Sequence, residues 1–101
     1  MRVIVFFDLP TLTANDRRAY TQFRKFLIHS GFIMLQESVY AKLALNQTAA
    51  TNVCAALKMH RPTDGLVQVL TITEKQFQRM EYITGEFESD TVVSDERVVI
   101  I

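Results

Sequence analysis

An aspartate at the tip of an apolar run is the first place in this 101-residue chain where chemistry could be done. Five consecutive apolar residues, Val3 to Phe7, run into Asp8, and Leu9-Pro10 follow at once. A carboxylate held at the end of a buried strand suits a hard cation such as magnesium, which takes one or two carboxylates, keeps several waters and borrows oxygens from a phosphate. One carboxylate is a poor site alone. Two copies of Asp8 brought near the axis of a dimer would hold such an ion jointly and activate water against a phosphodiester. The competing role is structural, with Asp8 capping the helix that follows or pairing with Arg17 or Arg18.

A second constellation is Asn15-Asp16-Arg17-Arg18, with Arg24 and Lys25 one to two turns further on. At the beginning of a helix, guanidinium groups beside free backbone N–H groups make a phosphate contact, because the fork and the helix dipole both favour an anion. For Arg24 and Lys25 a solvated helix face is the stronger reading, and Arg2, flanking the first strand, is a further basic candidate for the same region. The other polar residues carry less. His29 and His60 fall near helix C-termini as dipole partners, and no Cys/His spacing resembles a zinc site. Ser38 has no His-Asp set to activate it. The aromatic residues read as core, with Tyr40, beside Ser38, the one that a hairpin would expose. Neither a P-loop nor a dinucleotide-binding fingerprint is present.

The elements that must position these residues follow from the pattern of the chain. Val3 to Asp8 reads as a central strand buried on both faces. Thr13 and Asp16 form a capping-box pattern that opens a helix whose inward stripe is Ala19, Tyr20, Phe23, Phe26, Leu27 and Ser30, closed by Gly31. Residues 32 to 45 favour extended structure, either a hairpin about Gln36-Glu37-Ser38 or one strand bent by a bulge, the hairpin being preferred. Asn46 caps a second helix to about His60, with Ala50, Val53, Leu57 and Cys54 inward. Leu66 to Thr73 is a further strand, Thr73 to Gln76 a second capping box before a short helical turn, and Glu81 to Glu86 a candidate short strand. Residues 87–101 read as an acidic loop and a C-terminal strand that joins a sheet elsewhere.

This order, β-α-β-β-α-β with additional C-terminal strand, predicts a single α+β domain over residues 1–101, a ferredoxin-like sandwich with two helices on one face of an antiparallel sheet. The other sheet face then lacks a cover. A second subunit in a face-to-face homodimer supplies one most simply; the C-terminal residues folding back within one chain are the alternative.

Hydrophobic residues make up 49% and charged residues 22%, a globular balance that excludes disorder. Net charge is zero but segregated: residues 1–61 hold eight Lys/Arg against three acids, and residues 62–101 hold three against eight. That split predicts one basic working face, unless the two halves interleave in space and cancel. The lone Cys54 makes no internal disulfide, so the cytoplasm is the expected compartment. The apolar start is too short for a signal peptide, and no run spans a membrane.

Taken together, VIVFFDLP, the NDRR helix start, Gly31-Phe32 and Gln36-x-Ser38-Val39-Tyr40 resemble the Cas-two family of CRISPR-associated adaptation proteins, most closely its members from type II systems. The resemblance implies a ferredoxin-like homodimer whose sheets face each other and whose C-terminal strand joins the partner's sheet. It implies a bridge between two flanking dimers of the CRISPR integrase, holding prespacer double-stranded DNA for spacer acquisition. It further implies a magnesium-dependent endonuclease on RNA or DNA, with Asp8 as metal ligand and catalytic residue and Arg17 and Arg18 at the family's basic helix start. The acidic second half departs from a broad, promiscuous DNA surface. The rival to all of this is a ferredoxin-like regulatory or protein-interaction module without nucleic-acid chemistry.

Overall fold

The computed structural model describes residues 1–86. The elements are β1 (Arg2–Asp8), α1 (Ala14–His29), β2 (Ile33–Gln36), β3 (Val39–Leu43), α2 (Gln47–Met59), β4 (Leu66–Ile72) and a short α3 (Glu74–Gln78). The strands form one antiparallel sheet in the order β2-β3-β1-β4, so the most apolar strand takes a central place, paired on both edges. This is the ferredoxin-like α+β arrangement that the element order predicts.

The period of two along β1 decides what is covered. Val3, Val5 and Phe7 point to the helix side and are at most 5% exposed, packed with Phe23 and Leu27 of α1 and Ala50 and Leu57 of α2. Ile4 and Phe6 point the other way. Ile4 is buried between its cross-strand neighbours Ala41 and Leu70, whereas Phe6 keeps 37% of its surface. Burial on both faces is therefore corrected for Phe6. Among the described residues its face has no long helix above it, and Ile33, Leu43, Leu66 and Leu70 on the same face are 43 to 55% exposed.

Local chemistry explains the helix ends. Thr13 accepts from the Asp16 amide at 3.0 Å while Asp16 accepts from the Thr13 amide at 3.1 Å, closing the capping box. At the other end, Gly31 adopts φ +95°, its amide donates to the Ile28 carbonyl, and Phe32 donates to the Leu27 carbonyl. This Schellman geometry needs a residue without a Cβ penalty at position 31 and drives Phe32 into the core. Asn46 caps α2 through the Ala49 amide at 2.8 Å.

Residues 32 to 45 form the preferred hairpin and not one bent strand, although a bulge is present within it. β2 and β3 form a hairpin turning at Glu37-Ser38, and a register shift between Met34 and Gln36 puts a bulge in the same ladder. No strand forms over 81–86, which corrects that expectation: Tyr82 and Ile83 are exposed, and the segment pairs with neither edge strand, β2 or β4, so it gains no ladder bonds. The acidic loop and C-terminal strand expected over 87–101 lie outside the described residues.

Candidate metal and nucleic-acid site

Asp8 is the last residue of β1 and sits opposite Leu66 of β4. Directly opposed residues share a face, so the carboxylate lies on the open side of the sheet, at its rim, and it is exposed. Among the described residues it has no hydrogen-bond or ion-pair partner. The structural roles weighed for it are taken by other groups. Thr13 caps α1, Arg17 donates to the carbonyls of Thr11 and Leu12 at 3.2 and 3.3 Å, and Arg18 donates to Asn15 Oδ1 at 3.1 Å.

Five residues carry the chain from the end of β1 to the start of α1, so Arg17 and Arg18 stand at the same end of the molecule as Asp8, both exposed. Arg2 does not join them. It occupies the other end of β1, roughly 20 Å away at the rise of an extended chain. Its Nε and Nη2 donate to the two Glu74 carboxylate oxygens at 2.9 and 3.0 Å, and its guanidinium lies 4.4 Å from the centroid of the Phe77 ring. The Arg2 hydrogen bonds hold the Glu74 carboxyl below its ordinary pKa, outweighing a small opposing effect of burial. Arg2 thus latches α3 to the sheet.

Arg24 has a structural partner as well. Its Nε donates at 2.9 Å to the hydroxyl of Tyr40, whose ring is fully buried against Phe7. Tyr40 is therefore a core residue and not the exposed hairpin aromatic that the sequence suggested; on the helix side of β3, its position follows from the register Tyr40↔Val5. Lys25 is exposed on α1. His60 stacks on Phe26 with centroids 4.1 Å apart and its Nδ1 lies 3.0 Å from the Ala56 carbonyl, a helix-end arrangement.

Two contributions escaped the sequence reading. The Arg24–Tyr40 bond links positions sixteen apart and leaves no periodic signal. Gly65 stands against the backbone of Asp8, and the only hint was the Asp64-Gly65 turn before β4. Among the described residues, no group of three or more His, Cys, Asp or Glu side chains is placed to hold a metal ion, and no helix is long and apolar enough to cross a membrane.

The site can now be set beside known proteins. A CRISPR-associated endoribonuclease Cas2 of Treponema denticola is 52% identical over 101 residues, covering all of both chains. One of Streptococcus mutans serotype c is also 52% identical over 101 residues, covering all of this chain and 93% of its own. The crystal structure of Streptococcus pyogenes Cas2 at pH 6.5 superposes with a TM-score of 0.62 over 83% of this chain and all of that one; at 18% identity this likeness speaks to the fold. The family model for CRISPR associated protein Cas2 matches residues 1–80, which take in Asp8, the basic helix start and all four strands, and the chain belongs to that family.

Proposed function

We propose that the chain works as a two-fold homodimer built on its open sheet face, and that the two Asp8 carboxylates share one magnesium ion for phosphodiester hydrolysis. The observation that carries this reading is Asp8 itself: an exposed carboxylate without a partner among the described residues, at the rim of a sheet face that leaves Phe6, Ile33, Leu43, Leu66 and Leu70 partly bare. An apolar face of that kind favours a second copy of the same face, and a two-fold axis near the end of β1 would bring both carboxylates together.

The donor chemistry fits the ion. Magnesium prefers oxygen ligands and dehydrates reluctantly, so two carboxylates open to water, with phosphate oxygens from a substrate, form a suitable set. Among the described residues no three-residue ligand cluster competes with Asp8, and a shared ion gives it a second carboxylate. When bound, it supplies Lewis-acid polarisation of the phosphodiester. Asp8 holds it, and Arg17 and Arg18 at the head of α1 contact the nucleic-acid backbone, with Lys25 extending that surface. Arg2 contributes less, because its charge is paired with the Glu74 carboxylate, whereas Arg17, Arg18 and Arg24 donate only to uncharged acceptors; Arg24 stands two turns further along α1 and is the weaker contact. The relatives named endoribonuclease support hydrolysis in general and RNA as a substrate; double-stranded DNA is the alternative substrate of this proposal.

In the cell the same dimer serves spacer acquisition in the cytoplasm, bridging two integrase dimers and holding prespacer DNA, a role that does not require cleavage. Asp8→Asn should abolish magnesium-dependent cleavage while the dimer and the integrase complex persist; undiminished cleavage would remove Asp8 from the mechanism. Integration that proceeds equally well without this protein would refute the bridging role.

A further inference from the structure

We infer that Gly65 is a positioning residue for Asp8: it sets the backbone height of the metal-ligating carboxylate and through it the separation of the two copies. The inference rests on the shared-ion reading of Asp8. Gly65 precedes β4 in the turn facing the end of β1 and adopts φ +94°. A Cβ at this position would lie 2.7 Å from the Asp8 carbonyl oxygen, 2.8 Å from Leu9 Cδ2 and 3.1 Å from Leu9 Cα. Side-chain carbons essentially never approach other atoms below 3.0 Å, and two of these three neighbours are backbone, so a methyl group here must change the spacing between the Gly65 turn and the Asp8-Leu9 peptide.

Leu9 is 8% exposed and part of the core, which resists movement inward. The displacement therefore falls on the end of β1 and the side chain it carries. In a two-fold dimer the shift occurs in both subunits, so the distance between the carboxylates changes by up to twice the local movement. Magnesium demands near-ideal octahedral geometry at short distances, so sub-ångström errors in ligand placement are felt directly.

Gly31 provides the matched control. It has almost the same positive φ, +95°, but a Cβ there would meet only the flexible end of the Lys42 side chain, at 3.6 Å. Gly31→Ala carries the same backbone strain and spares Asp8. The test measures Mn²⁺ binding to the purified dimer by loss of the free-ion electron paramagnetic resonance signal, with thermal melts in parallel. Gly65→Ala should raise the Mn²⁺ dissociation constant about tenfold or more, the scale on which supporting residues act at metal sites, while Gly31→Ala, which carries the backbone strain without the close contacts and melts between wild type and Gly65→Ala, binds as wild type. If Gly65→Ala does not fold, Gly65→Asn places the same Cβ with a residue that tolerates left-handed backbone. Unchanged binding in the position-65 variant, or equal weakening in Gly31→Ala, overturns the positioning role while leaving Asp8 in place. Wild-type binding in Asp8→Asn overturns the shared-ion reading and this inference with it.

Discussion

Replacing Leu70 by glutamate should dissociate the proposed dimer without unfolding the chain. Leu70 lies opposite Ile4 on the open face and is 51% exposed. Full burial of a leucine side chain contributes about 1.5–3 kcal/mol, so the half that remains bare represents about 1 kcal/mol on association. Two-fold symmetry counts the position twice, which makes about 2 kcal/mol lost when the leucines are removed. The incoming carboxylates must also be partly desolvated without a partner, adding at least about 1 kcal/mol per copy. A total of about 4 kcal/mol corresponds to roughly a thousandfold weaker dimer. Sedimentation velocity over a concentration series reads this directly, with far-ultraviolet circular dichroism confirming that the monomer keeps its fold. Thr51→Glu, on the exposed side of α2, should leave the dimer unchanged. A Leu70→Glu protein that sediments as wild type would refute the assignment of the open face as the interface.

Two further expectations concern single contacts. Arg24→Ala leaves the hydroxyl of the buried Tyr40 without its partner and should cost about 1–3 kcal/mol in urea unfolding, whereas Tyr40→Phe leaves an exposed guanidinium that water can satisfy and should cost about 1 kcal/mol; the reverse order would contradict the bond. Glu74 has a lowered folded-state pKa, so its contribution is complete at neutral pH and disappears as pH falls through that value, below the ordinary 4.5. Wild type and Glu74→Gln should therefore differ by less than about 1 kcal/mol at pH 7, a small amount because the pair is partly exposed, and converge in acid.

The fold was legible where local signals agreed with tertiary packing. The apolar run Val3 to Phe7, the capping boxes at Thr13 and Thr73 and the stripes of α1 and α2 placed four elements, β1, α1, α2 and α3, and the core residues Phe23, Leu27, Ala50 and Leu57. Signals failed where a pairing partner decides. The segment Gln36-Glu37-Ser38 lacks a glycine turn signature, so one bent strand stayed open beside the preferred hairpin; the hairpin forms, and a bulge lies within its ladder. Glu81 to Glu86 has strand-like residues but pairs with neither outer edge of the sheet, β2 or β4. At the site, Asp8 was visible from its place at the end of an apolar run, and the bonds that engage Arg2 and Arg24 were not, because Glu74 and Tyr40 are distant in sequence. The close approach of Gly65 to the Asp8 backbone is a contact of two backbones and has no sequence pattern beyond a turn.

The central claim is that Asp8 acts as one of a pair, and counting ions tests it most directly. Titration of the wild-type dimer with Mn²⁺, monitored by the free-ion signal, should saturate at one ion per two chains, and Asp8→Asn should remove that ion. Saturation at one ion per chain, or a half-equivalent of binding that survives Asp8→Asn, would contradict the account.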